Sequence, residues 1–412
     1  MPCFDPLSMG YDWECWVSRE TGERLDMSEI VRLADDARSE LPQVKIGVDD
    51  ELIENRSGPR TSFADLLEVT RKSMSVIRRV ARRDHYLVWG CGAHPLNVGV
   101  AGMHIHVGSI YDHRDGLRLQ AHVLKYVPVI GAILANAPMH AGTISLAKSE
   151  RVYTSALGMT RPPSLGANDL WQYDWGADVN IRLPGKPTIE MRVGDSCFSE
   201  RLVAEITTLA AAVAYVVGCN TDENTPLPTV DEYVTYIANR WQAGMYGLQA
   251  TFLWDGEDCA VSDVITKVIE FAEPGLRELK CSADDLTTIR AMAAKRQTQA
   301  DLLQWLMELH PDPYRYTMHL SNVLDSGDPL AEYLQSAPEL PAIPRVCPEE
   351  MVRRAMQRES NLNPLWSYNR FPANAMADML EKMERDGLIT SRREMERATI
   401  YEMNDPDLSG RR

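Results

Sequence analysis

The sequence predicts an α+β fold in which an antiparallel sheet carries helices on one side. Three observations lead to this prediction. Short segments alternate polar and apolar side chains, the period-2 pattern of a strand with one buried face. Longer segments place apolar side chains three and four residues apart, as in amphipathic helices. Strands and helices do not alternate at the regular spacing of βαβ units, which disfavours a parallel sheet.

The predicted strands lie in the first half of the chain. Segment 10–17 (GYDWECWV) alternates acidic residues with apolar or aromatic ones. Segments 86–89, 102–108 and 188–193 are shorter and have the same alternation or a short apolar run. These four segments are expected to contribute strands to the sheet.

The predicted helices lie between and after these strands. Apolar residues recur at helical spacing from Ser62 to Asp84, and the Ser62 hydroxyl can cap the first turn by accepting a backbone hydrogen bond. Further helices are predicted at 115–135, 199–218, 231–246, 262–271 and 283–309.

Three units are predicted along the chain. Residues 1–335 form one large domain, whose last part, from about 229 onward, is mainly helical. The proline-rich segment 336–348 (SAPELPAIPRVCP) is a linker. Residues 349–412 form a small module with two predicted helices, and its segment GLITSRREMERATIYEMN resembles the strand and wing of a winged helix.

Charge and composition exclude several classes of protein. The net charge is −16, yet residues 345–412 contain twelve basic and twelve acidic residues, so the acidic excess lies in the body. An acidic body repels polyanions, which disfavours nucleic acid as a partner of the module. Recognition of a protein or peptide, or simple packing against the large domain, is favoured instead. No apolar run approaches the roughly 20 residues that span a bilayer. With no leader pattern and eight cysteines without a CxxC pair, a cytoplasmic protein with reduced thiols is expected.

Acidic side chains in the first strands predict a site for a hard divalent cation. Asp12 and Glu14 are two residues apart, so both project from one face of a strand. Glu54 follows an acidic patch and precedes a turn in the segment ENRSGP. Magnesium prefers oxygen ligands and needs only one or two carboxylates per ion beside substrate phosphates. A solvated strand face would show the same alternation, so this pattern alone does not establish a site.

Two later strands add histidines and an arginine. In GMHIHVG, His104 and His106 share one strand face, and in TIEMRVGD the same holds for Glu190 and Arg192. A carboxylate beside a guanidinium can be a simple surface pair. A site for a metal-bound polyphosphate, however, needs carboxylates for the cations and arginines for the moving phosphoryl group, and the combination favours that chemistry.

These elements, in this order, resemble the type 2 glutamate–cysteine ligase family, also called carboxylate–amine ligases, whose catalytic sheet is that of glutamine synthetase. The resemblance covers roughly residues 8–310. The strings that carry it are GYDWE, ENRSGP, GCGAHP, GMHIHVG, ANAP, SER (149–151), WGADVNIR, TIEMRVGD, NRWQAGMYG and AKRQ.

The resemblance implies roles for single residues. The implied metal ligands are Asp12, Glu14, Glu54, His104 and Glu190. The groups implied at the nucleotide phosphates are His106, Arg182 and Arg192, of which the two arginines are also the implied catalytic residues. Arg151 is the residue implied to receive the substrate carboxylate. One further metal ligand is left open among Asp49, Asp50 and Glu51.

The activity implied by the resemblance is the ATP-dependent joining of a carboxylate to an amine. The terminal phosphate of ATP passes to glutamate or a related acid, free or on a carrier, and an amine then displaces it. Magnesium ions, for which manganese could substitute, would screen the triphosphate. A metal-dependent amidohydrolase, which also uses an HxH strand, and a catalytically silent homologue remain alternative hypotheses. Homo-oligomerisation is also left open.

Overall fold

A computed structural model describes residues 4, 6–94, 99–140, 143–145, 147–149, 152, 178–182, 186–309, 328–346, 389–395 and 398–403. The strands are, in chain order, β1 (Ser8–Arg19), β2 (Lys45–Asp49), β3 (Leu52–Arg56), β4 (Tyr86–Trp89), β5 (Gly102–Gly108), β6 (Met139–His140), β7 (Thr143–Ile144), β8 (Val179–Ile181), β9 (Thr188–Asp195), β10 (Thr251–Trp254), β11 (Glu257–Ala260), β12 (Ile389–Met395) and β13 (Ala398–Met403).

Seven of these strands form one sheet in the order β2-β3-β1-β5-β9-β8, with β4 also paired to β1. Every pairing in it is antiparallel. The predicted α+β fold with an antiparallel sheet is therefore confirmed. The described α-helices are Met27–Glu40, Phe63–Arg83, His113–Val123, Val127–Ile133, Glu200–Asn220, Val230–Tyr246, Val261–Glu278, Thr287–Lys295, Gln299–Leu309 and Pro329–Ser336.

One face of the sheet carries the hydrophobic core. Tyr11, Ile105 and Met191 lie side by side on β1, β5 and β9, and each is at most 1% exposed. The helices Phe63–Arg83 and Glu200–Asn220 belong to the same core. Since side chains alternate along a strand, every second residue of these strands projects from the opposite face.

The helix Glu200–Asn220 corrects one expectation from the sequence. Among the described helices, it alone is long and apolar enough to cross a membrane, although no such run was expected. Of its most apolar 18-residue window, 89% is buried inside the protein. It contacts β1, β5 and the helix Val261–Glu278, which is the environment of a core helix.

Two predicted helices are divided in the structure. The predicted helix 115–135 is interrupted by a 3₁₀ turn at Leu124–Tyr126, and Pro128 lies in the first turn of the helix that follows. Proline is tolerated there because its missing N–H would have no partner within the helix. The predicted helix 283–309 is interrupted at Arg296, whose left-handed backbone (φ 52°) ends the helix Thr287–Lys295.

The proline-rich segment after the large domain contacts the helical part of the protein. The backbone N–H of Leu340 donates to the carbonyl of Lys295 (2.9 Å), and that of Ile343 donates to Gln249 (2.7 Å). The segment is therefore held against its neighbours over several residues.

Only part of the C-terminal module falls within the described residues. β12 and β13 pair as an antiparallel hairpin where the sequence predicts the strand and wing. The two helices that the sequence predicts for this module, at 348–359 and 373–386, lie outside the described residues, so a winged helix stays a prediction.

Candidate metal and phosphate site

The register of the sheet gathers the predicted ligands on the face opposite the core. Asp12 of β1 lies opposite His104 of β5, and Glu14 lies opposite Glu54 of β3. On the other side of β5, His106 lies opposite Glu190 of β9. Residues up to 178 positions apart in the sequence thus become neighbours on one polar surface.

Asp12, His106 and Glu190 form a candidate metal centre. One ligand atom from each residue lies within 4.8 Å of the others. The Nε2 atom of His106 is 3.1 Å from Asp12 Oδ2 and 3.6 Å from Glu190 Oε1. Its Nδ1 atom is 3.2 Å from the Thr188 hydroxyl, a contact that orients the ring as outer partners of metal-binding histidines do.

Glu190 connects this centre to two arginines. Its carboxylate is 2% exposed, and its Oε1 atom accepts a hydrogen bond from Arg192 Nη1 at 3.0 Å. Its Oε2 atom is 3.4 Å from Arg182 Nη1 but accepts no hydrogen bond from the described residues. A buried oxygen without a hydrogen bond costs about 1–3 kcal/mol. This oxygen and the ligand atoms of Asp12 and His106 fit a divalent cation, which would bind the oxygen in place of a hydrogen bond.

Glu14 and His104 extend the cluster along β1 and β5. His104 Nε2 is 3.6 Å from Glu14 Oε1, and its Nδ1 atom is 3.8 Å from Glu190 Oε1. The other oxygen of Glu14 accepts a hydrogen bond from the backbone N–H of Gly102 at 2.5 Å. A Cβ atom on Gly102 would lie 2.9 Å from His104 Nε2, so a larger residue would displace this imidazole.

Positive charges surround Asp12 and keep it ionised. Burial acts to raise the pKa of this carboxyl, but the hydrogen bond and charge of His106 outweigh it, with Lys186 and Arg56 adding in the same direction. The pKa of Asp12 is therefore held well below its usual range. Lys186 Nζ lies 3.4 Å from Asp12 Oδ2.

Glu54 forms the far end of the polar surface. Its side chain is buried and is paired with Arg56, the second residue after it on β3. Burial raises the pKa of Glu54 above its usual value, and the negative charge of Asp12 adds to the increase. A cation between these carboxylates would relieve their mutual repulsion.

The structure narrows the choice among the three acidic residues left open by the sequence. Asp49 lies on the same face of β2 as Gly47, which is opposite Glu54. Asp50 has a left-handed backbone (φ 46°) in the turn, and Glu51 is paired with Arg24. By position, Asp49 is the one that shares the polar face.

The structure places all five predicted metal ligands on one face of the sheet, but of these only Asp12 and Glu190 lie in the three-residue cluster. Both predicted phosphate-binding arginines contact Glu190. His106, predicted at the phosphates, lies in the three-residue metal cluster. Arg151 lies outside the described residues. Sequence reasoning missed Arg56, Lys186 and Thr188. Arg56 could have been found from its two-residue spacing to Glu54, whereas Lys186 precedes β9 in a loop and follows no pattern.

Comparison with known proteins indicates which family the chain resembles. No protein-family model matches the chain. A protein of Arthrobacter sp. (strain FB24) with the curated name "Putative glutamate--cysteine ligase 2-1" is 23% identical over 347 residues, covering 70% of this chain and 88% of the relative. The chain resembles the type 2 glutamate–cysteine ligases. This resemblance, first indicated by the motifs, is confirmed.

Two further comparisons support the resemblance and the fold. A protein of Saccharopolyspora erythraea with the curated name "Putative glutamate--cysteine ligase 2-2" is 30% identical over 169 residues, covering 36% of this chain and 42% of the relative. The crystal structure of glutamate–cysteine ligase from Francisella tularensis in complex with AMP has a TM-score of 0.52 and 11% identity. The superposition covers 92% of this chain and 96% of the Francisella tularensis chain, so the two proteins share a fold.

Proposed function

We propose that the protein is an ATP- and magnesium-dependent ligase that joins a carboxylate to an amine. One observation carries the proposal: the buried carboxylate of Glu190 belongs to a candidate cation cluster and also contacts Arg182 and Arg192. A site for a metal-bound triphosphate needs cation ligands and phosphate-binding guanidiniums next to each other. The sequence relatives named as glutamate–cysteine ligases support the same class of reaction.

The carboxylates and histidines of the polar face would hold the cations. Bound magnesium would neutralise the triphosphate, so that an anionic carboxylate can approach the terminal phosphorus. Oxygen donors dominate the set, which suits magnesium and also manganese. The proposed ligands are Asp12, Glu14, Glu54, His104, His106 and Glu190.

Arg182 and Arg192 would bind the oxygens of the terminal phosphate. Their side chains are 19% and 24% exposed, so the guanidiniums are held by Glu190 and still open to solvent on one side. A substrate carboxylate oxygen would attack the phosphorus, forming an acyl phosphate as ADP leaves. The amine would then attack the acyl carbon, and inorganic phosphate would leave. Two oriented guanidiniums stabilise the charge that moves during the first transfer.

Glutamate or a related acid is the proposed carboxylate substrate. The support is the resemblance to proteins named as glutamate–cysteine ligases, and Arg151 is the proposed contact for the substrate carboxylate. The C-terminal module is proposed to bind a protein or peptide. We also propose a cytoplasmic location, which is supported by the six free thiols among the described cysteines, since such thiols fit a reducing compartment.

Phosphate release from ATP tests this function. The purified protein is incubated with ATP, magnesium, glutamate and a panel of amines, and the products are identified by mass spectrometry. We expect phosphate release that requires both magnesium and an amine, together with an amide product. Amide hydrolysis without ATP would instead identify an amidohydrolase. The absence of turnover across the panel would favour a catalytically silent homologue.

A further inference from the structure

Arg240 and Asp178 form a buried ion pair outside the candidate metal site. Arg240 Nε donates to Asp178 Oδ2 at 2.6 Å and Nη2 donates to Oδ1 at 3.0 Å, so the contact is bidentate. Both side chains are 2% exposed. The hydroxyl of Tyr236 donates a further hydrogen bond to the same carboxylate. Bidentate contacts of this kind fix orientation as well as distance.

The pair lies at the beginning of β8, the edge strand that precedes Arg182. β8 spans only Val179–Ile181 and is the shortest of the seven strands. Such a short edge strand has few contacts of its own and opens easily unless it is anchored. The backbone carbonyl of Asp178 accepts a hydrogen bond from the backbone N–H of Arg192 at 2.7 Å. Asp178 therefore links Arg240 directly to the strand that carries Arg192.

Arg240 also contacts a second segment, which adjoins Arg151, the residue proposed to bind the substrate carboxylate. Its Nη1 atom donates to the carbonyl of Val152 at 2.7 Å, and Val152 directly follows Arg151 in the sequence. The backbone N–H of Ser149 donates to the carbonyl of Gly244, four residues after Arg240 on the helix Val230–Tyr246. This helix thus anchors the chain on both sides of residues 153–177.

A stability role alone does not account for this arrangement. Buried ion pairs contribute little net stability compared with apolar side chains of similar volume, because both charges lose their hydration. What the pair supplies is a rigid connection between a helix and the edge of the sheet. Asp178 belongs to the motif WGADVNIR and Arg240 to the motif NRWQAGMYG. The ion pair therefore gives these two motifs a common structural role.

We propose that Arg240 is a positioning residue which acts through Asp178 to hold Arg192 and Arg182 at the phosphate side of the site. The proposal rests on the proposed ligase function. Arg240 is buried, so it acts on the reaction only through the residues it holds. A displacement of about 1 Å in a catalytic group can lower turnover by about a hundredfold.

The variant Arg240→Lys tests this role because lysine keeps the positive charge but lacks the planar guanidinium that makes the bidentate contact with Asp178. We expect kcat to fall by about tenfold to a hundredfold. The affinity for ADP with aluminium fluoride, which mimics the phosphoryl group in flight, should fall in parallel. The affinity for magnesium with a non-hydrolysable ATP analogue should change by less than about threefold, since ground-state binding has many other contacts. Affinities are measured by titration calorimetry, well below the melting temperature of each variant.

A matched control separates positioning from stability. Glu205 is also fully buried and ion-paired, with Arg201 at 2.7 Å, but it caps the helix Thr287–Lys295 away from β8. Glu205→Gln should lower the melting temperature and leave kcat and the affinity for the aluminium fluoride complex unchanged. An equal loss of kcat in Glu205→Gln, or an unchanged kcat in Arg240→Lys, overturns the proposal.

A milder variant keeps the test decisive if Arg240→Lys does not fold. Tyr236→Phe removes one hydrogen bond to Asp178 and keeps the ion pair, so a smaller decrease in kcat, of about twofold to tenfold, is expected. Wild-type kcat in a folded Tyr236→Phe would then overturn the proposal. Failure of the proposed ligase function can be distinguished from failure of the positioning role. In the first case the wild-type protein itself would neither release phosphate nor bind the aluminium fluoride complex.

Discussion

The two faces of the central sheet have opposite chemistry although the same strands build them. Ile105 and Met191 are cross-strand neighbours in the core, and one residue further along, His106 and Glu190 are neighbours in the candidate site. A shift of one residue in the pairing would exchange the two faces. The apolar side chains that pack the core therefore also determine which ligands meet on the other face.

The two faces also differ in what they contribute to stability. Burying a large apolar side chain stabilises the fold by about 1.5–3 kcal/mol. The polar face instead collects carboxylates, among them Glu14, Glu54 and Glu190, which are buried, and desolvation opposes their charge. We therefore expect substitutions on the polar face to change activity and substitutions on the apolar face to change stability.

The largest expected effect on turnover is that of Glu190→Gln. The substitution keeps the shape of the side chain but removes the charge shared by the cation cluster and the two arginines. Loss of about 4 kcal/mol of charge stabilisation corresponds to a decrease of about a thousandfold in phosphate release. Circular dichroism should show an unchanged fold. Glu257→Gln, at an exposed carboxylate of β11, is the control, and near-parental release by Glu190→Gln at saturating magnesium would refute the metal assignment.

A smaller decrease in turnover is expected for Arg192→Lys. Lysine keeps the positive charge but lacks the planar guanidinium that can make two hydrogen bonds to a phosphate. Nucleotide binding should therefore persist while turnover falls by about tenfold to a thousandfold. ATP affinity and phosphate release are measured on the same preparation. Arg277→Lys is the control, because Arg277 forms an exposed pair with Glu273 at 3.5 Å. If both variants turn over like the parent, Arg192 is only a partner of Glu190.

The smallest effect on turnover is expected for Ile105→Ala, on the opposite face of the same strand. This residue is fully buried, so its truncation should reduce the free energy of unfolding by about 2–5 kcal/mol. At low temperature the folded fraction should still release phosphate at nearly the parental rate. Urea denaturation and turnover are compared directly. Lost turnover with unchanged stability would contradict the division of roles between the two faces.

Three strands that carry the site, β1, β5 and β9, could be predicted because alternation is a local property, whereas β2, β3 and β8 were not predicted. β4 and β5 have the predicted bounds, and the same two-residue period placed Glu190 beside Arg192 on one face. Secondary structure was harder to predict in regions without a local pattern. The hairpin of β10 and β11 was not predicted, and the break at Arg296 was missed because the residues around it keep a helical pattern.

The sequence by itself determined the fold class, the family resemblance and the set of residue types in the site. These depend on period-2 alternation and on motifs, which are properties of neighbouring residues. Only the tertiary structure decided which ligands lie together, because strand order and register join distant segments. It grouped His106 with Asp12 and Glu190, brought Lys186 to Asp12, and joined Arg240 to Asp178. Contacts of this kind depend on how the core packs and leave no local pattern in the chain.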